Sequence, residues 1–161
     1  MLEIAIDRNQ PAAEFYADLT SSAAALVEGE PDAIANMANI AALIWQYMPD
    51  LNWAGFYRRI DDELVLGPFQ GKTACIRIAI GAGVCGTAAS SGEVQRVADV
   101  HAFPGHIACD ADSRSELVVP VVKNGKIVAV LDLDSPLPGR FLPEDEAGMV
   151  ALIGAIAANL G

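Results

Sequence analysis

Residues 116–134 constrain this chain more than any other stretch: two apolar runs, ELVVPVV and IVAVLDLD, meet at KNGK. Asn124-Gly125 suits a type I′ turn, in which both central residues need positive φ, so the runs predict an antiparallel hairpin. The strongly apolar IVAV predicts that its second arm is a core strand. Upstream, LNWAGFYRRIDDELVLGPFQ reads as two more strands joined by a tight acidic turn at Asp61 and Asp62. ACIRIAIG predicts a further strand that starts at Cys75, and EVQRVADV a short one.

Helices flank these strands. PAAEFYADLTSSAAALVE, residues 11–28, opens on a proline tolerated at a first helical position and closes at Gly29. A second helix spans Pro31 to Met48, with Ile34, Met37, Ile40, Ala41, Ile44 and Met48 at helical spacing. Pro143 opens a C-terminal helix whose first turn carries Glu144, Asp145 and Glu146, favourable against the helix dipole. Its apolar stripe is Met149, Ile153, Ile156 and Leu160. GAGVCGTAAS predicts a short helix with Cys85 at its N-terminus. The expected fold is α+β in one domain, residues 1–161: an antiparallel sheet with the terminal helices mainly on one face. A ligand pocket is then expected on the other face, roofed by the long irregular stretch 99–115.

Charge and cysteine content narrow the function. With 21 acids against 10 bases the net charge is −11, which disfavours nucleic acid and anionic membranes as partners. No apolar run reaches the ~18–20 residues that span a bilayer. MLEIAIDRNQ lacks a basic n-region and a cleavage site, so a cytoplasmic address is expected. Three cysteines with no export signal argue against a structural disulfide framework and leave buried, metal-ligating or redox-active thiols.

Cys109 is the unusual one, because HIACDADSRSE surrounds it with acids and an arginine and offers little to pack against. Asp110 and Asp112 are expected to disfavour its thiolate, with Arg114 or His106 as the groups that offset them. At a helix N-terminus Cys85 gains thiolate character. A zinc site from His101, His106, Cys109 and Cys85 is a weak case, since no C-x-x-C pair accompanies the single H-x-x-C. Asp132 and Asp134 alternate with leucines and therefore project from one strand face, where acids are costly unless they meet a cation, a metal or a shared proton. Strict counting from a two-residue turn puts Glu116 opposite Leu133, facing away from them. A bulge near Pro120 reverses that, as does a strand that begins after Glu116. Trp53 and Tyr57 share a strand face, with Gly55 between them leaving room for a ligand or a neighbouring backbone. They serve either as core or as the walls of a pocket for an apolar or sulfur-bearing group.

GVCGTAA, VADVHAFPGHIACDADSRSE, NGKIVAVLDLDS and NWAGFY together resemble the free methionine-R-sulfoxide reductases, single-domain enzymes of the GAF fold, from about residue 40 to residue 160. The resemblance implies Cys109 as nucleophile, Cys85 as resolving cysteine and Cys75 as a further thiol in disulfide exchange. It implies Glu116, Asp132 and Asp134 as substrate-binding acids, and Trp53 and Tyr57 as pocket walls. It further implies free methionine-R-sulfoxide as substrate, a thioredoxin-like protein as reductant and no cofactor or metal; a homodimer is compatible with it. Arg114 departs from the pattern, standing where a smaller neutral residue is expected. The alternatives are a GAF domain that senses a small ligand and one that reports oxidation through its cysteines. Both leave Asp132 and Asp134 without a role.

Overall fold

The computed structural model describes residues 3–107 and 110–161. Six strands, β1 (Trp53–Ile60), β2 (Glu63–Gly71), β3 (Arg77–Ala79), β4 (Gln95–Val97), β5 (Ser115–Lys123) and β6 (Lys126–Ser135), make one sheet in the order β3-β2-β1-β6-β5-β4. Every neighbouring pair is antiparallel. Four helices accompany it: α1 (Ala12–Val27), α2 (Ala33–Tyr47), α3 (Gly83–Ser91) and α4 (Pro143–Ile156).

The β5–β6 hairpin turns as its residues predict, with Lys123 opposite Lys126 and φ of 52° at Asn124 and 74° at Gly125. The two faces of the sheet follow from the alternation of the strands. Ala54, Phe56, Leu117, Val119, Val121, Ala129, Leu131 and Leu133 point one way, into a core shared with α1, α2 and α4. Trp53, Tyr57, Val118 and Val130 point the other way, towards α3. The terminal helices therefore lie on one face, and the opposite face is left for the site.

Local signals set the helix ends. Asp32 caps α2 by accepting from the Ala35 amide at 2.9 Å, and Asp145 accepts from the Leu142 amide at 2.7 Å at the start of α4. Two expectations change. Ile34 sits at the solvent end of its helical stripe and is 43% exposed, while Met37, Ile40, Ala41, Ile44 and Met48 are buried. The strand predicted from Cys75 shrinks to Arg77–Ala79, because edge strand β3 pairs only with Glu63–Val65. Cys75 precedes it, and its carbonyl oxygen accepts instead from Tyr57 Oη at 3.0 Å. Among the described residues no helix is long and apolar enough to cross a membrane.

α1 and α4 touch so closely that a Cβ at Gly148 would lie 2.2 Å from Cγ of Tyr16, whose hydroxyl donates to Asp145 at 2.5 Å. Alanine at 148 gains up to about 1 kcal/mol of helix propensity, but the clash with a fixed ring costs about 1–3 kcal/mol. Gly148→Ala is therefore predicted to lower the thermal midpoint, as measured by circular dichroism. An unchanged or raised midpoint would show that the helices separate without penalty.

Candidate functional site

A single irregularity in β5–β6 builds the site. Between Val121 and Val122 the register shifts: Val122 pairs with Ile127, but Val121 pairs with Ala129, so Val128 is an extra residue on β6. From there on each β5 residue meets one position later, and Glu116 lies opposite Asp134 instead of Leu133. Of the two routes by which Glu116 could join the aspartates, this is the bulge near Pro120, since β5 begins at Ser115, before Glu116. On the other side of β6, β1 pairs Trp53 with Asp134 and Gly55 with Asp132. Glu116, Asp132, Asp134, Trp53 and Tyr57 all line one pocket beneath α3 and the loop.

The pocket walls are aromatic and ordered. Trp53 stacks with Tyr57, centroid to centroid 5.8 Å, and with Phe69 at 5.1 Å. The space beside Gly55 is taken by this neighbour: a Cβ there would come within 2.3 Å of Phe69 Cβ. Gly55 therefore admits the neighbouring strand, whose Phe69 stacks with Trp53. Trp53 Nε1 donates to the Lys72 carbonyl at 3.1 Å, so its indole is held in plane.

Cys85 sits in the first turn of α3, 4% exposed, and its thiol donates to Glu116 Oε1 at 3.8 Å. It is a free thiol. The helix N-terminus does not decide its acidity: burial, then Asp132 and Glu116, push the Cys85 thiol well up. Cys75 is held in a disulfide. Cys109, the expected nucleophile, lies outside the described residues.

Several residues that the motifs did not single out hold the roof. Asn52 Nδ2 donates to Asp110 Oδ2 at 3.1 Å and to Ser113 Oγ at 3.0 Å. Lys72 forms ion pairs with Asp110, at 3.7 Å, and with Asp112. The charge of these two acids is thus met by Lys72, and not by Arg114 or His106. Arg114 is exposed, acting on the Asp99 side, and burial lowers the His106 pKa, its Nδ1 having no partner among the described residues. Lys72 stands far from Asp110 and Asp112 in sequence, 40 residues from the latter, so no local pattern marks it.

The three carboxyls share a charge problem. Burial raises Asp132 to about 6. Burial and Asp132 together push Glu116 and Asp134 well above the carboxylate range, although Ser113 partly favours the Asp134 anion. Among the described residues nothing donates to the buried Asp132 Oδ1, the mark of an acceptor waiting for a cationic donor. The chemistry available here is one ionised acid to hold a cation beside protonated acids that can donate.

Raised carboxyl pKa values mean that the anions cost the folded state more than the unfolded one. Stability is then fullest below the ordinary carboxylate range and is lost as pH rises through the folded values, the loss from Asp132 being complete just above about 6. Asp132→Asn is predicted to gain in thermal midpoint relative to the unsubstituted chain as pH rises from about 4 to about 6, and Asp134→Asn to gain in the same direction as pH rises above the ordinary carboxylate range. A difference that stays constant with pH would remove the acids as its cause.

Comparison with known proteins agrees with this arrangement. The GAF domain family model matches residues 21–160. The chain is 54% identical over 143 residues to the free methionine-R-sulfoxide reductase of Escherichia coli, covering 89% of this chain and 87% of that one. It is 46% identical over 129 residues to the Saccharomyces cerevisiae protein of the same name, covering 75% and 72%. The X-ray structure of the Neisseria meningitidis free methionine-R-sulfoxide reductase in complex with its substrate superposes with a TM-score of 0.94 at 38% identity, covering 99% and 96%. With its GAF fold, its acid-lined pocket and these relatives, the chain belongs to the free methionine-R-sulfoxide reductase family.

Proposed function

We propose that this protein reduces free methionine-R-sulfoxide to methionine. The observation that carries this is the buried carboxyl cluster with one unpartnered oxygen, set against an aromatic wall. A free amino acid differs from a peptide-bound residue by its ammonium group, and a lone anionic acceptor in a closed pocket selects for that group. Asp132, the acid that ionises most readily, takes the ammonium. Glu116, whose carboxyl burial and Asp132 push well up, hydrogen-bonds the sulfoxide oxygen as general acid. Trp53 and Tyr57 receive the methyl and thioether end, a favourable sulfur–aromatic contact.

Cys109 attacks the activated sulfur. The oxygen, protonated by the general acid, passes to Cys109 Sγ as the sulfur–oxygen bond and the transient sulfur–sulfur bond break, leaving a sulfenic acid on Cys109 and releasing methionine. A second thiol displaces that oxygen as water and forms a disulfide, which a thioredoxin-like dithiol reduces. The resemblance assigns this second thiol to Cys85. Its burial and its acidic neighbours disfavour an attacking thiolate, so we assign the step to Cys75, a residue already engaged in disulfide chemistry. Cys85 then stays in the acid cluster.

The deciding experiment supplies the free R and S sulfoxides separately with dithiothreitol and measures methionine. Turnover of the R epimer alone is expected; methionine from neither would move the protein to the ligand-sensing reading. Cys109→Ser is predicted to abolish even a single turnover. Cys75→Ser is predicted to release about one equivalent of methionine and then stall with thioredoxin as reductant. Peptide mapping after one turnover should find residue 109 joined to 75, and a bond to 85 would return the resolving role to Cys85. Asp132→Asn should raise KM at least about tenfold through loss of the charged contact.

A further inference from the structure

Cys85 Sγ, one carboxylate oxygen of Glu116 and one of Asp132 all lie within 4.8 Å of one another. The three residues are no more than 6% exposed. Asp132 belongs to this set, and its buried Oδ1, without a hydrogen-bond partner among the described residues, is an independent sign that a positive group is wanted there. An ammonium would satisfy the oxygens, but it has no use for sulfur. A thiol sulfur with two carboxylate oxygens is a donor set for a borderline-soft divalent ion, whereas magnesium and calcium call for oxygen alone. On a zinc tetrahedron, with bonds of about 2.3 Å to sulfur and 2.1 Å to oxygen, sulfur and oxygen ligands stand about 3.6 Å apart. Cys85 Sγ and Glu116 Oε1 are 3.8 Å apart. Three protein ligands leave the fourth position to water.

We propose that the reduced protein binds one Zn2+ ion at Cys85, Glu116 and Asp132, and that the bound ion excludes the amino-acid substrate. The ligand set differs from any that the histidines and Cys109 would form, and it makes the ion an inhibitor, not a cofactor. On binding, the Cys85 thiol and the Glu116 carboxyl each give a proton to solvent, and the sulfur and the carboxylate oxygens bond the metal with no change of oxidation state. Binding stands on the geometry alone. Exclusion of substrate rests on Asp132 also holding the substrate ammonium.

The test uses the full chain with Cys75→Ser and Cys109→Ser, so that Cys85 is the remaining thiol, under a phosphine reductant because dithiothreitol itself binds zinc. Cd2+ should give a thiolate-to-metal charge-transfer band saturating at about one equivalent, and Zn2+ should abolish it by competition. Adding Cys85→Ser should remove the band. Adding Asp132→Asn should weaken zinc at least about tenfold against a chromogenic chelator. No band with Cd2+, or a zinc affinity indifferent to Cys85→Ser, overturns the site whatever the folding state of the aspartate variant. In the unsubstituted reduced chain Zn2+ should raise KM for free methionine-R-sulfoxide and leave kcat unchanged. A fall in kcat alone overturns the exclusion. Absence of turnover without any metal would count against the reductase assignment and leave zinc binding to be judged by the band.

Discussion

Everything at the site depends on one extra residue in a β-ladder. Without Val128 bulging from β6, Glu116 would stand opposite Leu133 and enter the apolar core under the helices, and Leu117 would enter the pocket. A strand has period two, so a slip of one position exchanges every side chain between the two faces. Here the slip occurs two positions from the turn. Lys123 and Lys126 keep the register dictated by Asn124-Gly125, and Val121 onward adopts the register that the acids need. One hairpin thereby satisfies both a local turn rule and a distant chemical requirement.

The acids are tolerated because the other face of the same strands is so apolar. Leu117, Val119, Leu131 and Leu133 are fully or nearly fully buried against α1, α2 and α4. Each such side chain contributes roughly 1.5–3 kcal/mol of burial, which offsets the cost of enclosing three carboxyls. The carboxyls in turn reduce their own cost by keeping protons, at the price of a pocket whose charge depends on pH. A cationic ligand relieves the same strain, whether it is the ammonium of an amino acid or a metal ion. The preference for one positive guest is therefore a property of the crowding, independent of which guest arrives.

Above the acids, the roof is positioned by long-range pairs. Lys72, at the end of β2, and Asn52, just before β1, hold Asp110, Asp112 and Ser113 over the pocket mouth. These contacts join loop to sheet at neighbouring strand ends, because β1 and β2 place residues 53 and 71 opposite each other. Trp53 is braced from the same place through the Lys72 carbonyl. The aromatic wall and the roof thus share one anchor, and a change at Lys72 would be felt by both.

Much of this was legible before any coordinates. Binary pattern and turn residues determined the helices, the hairpin, the two faces of the sheet and the pairing of Asp132 with Asp134, since these follow from periods of 3.6 and 2. Motif resemblance named Glu116, Trp53 and Tyr57, which do line one pocket. Other features depend on contacts between residues far apart in the chain, and only the tertiary structure decided them. The position of the bulge was left open because Pro120 permits one without dictating it. The partners of Asp110 and Asp112 come from strand ends that local sequence cannot bring together. Cys85 inverted its expected acidity, for a helix N-terminus is a local feature whereas desolvation and the facing acids come from the packed sheet. Local periodicity sets which side chains share a face; only the packed molecule sets what stands across from that face, and with it the charge each group carries.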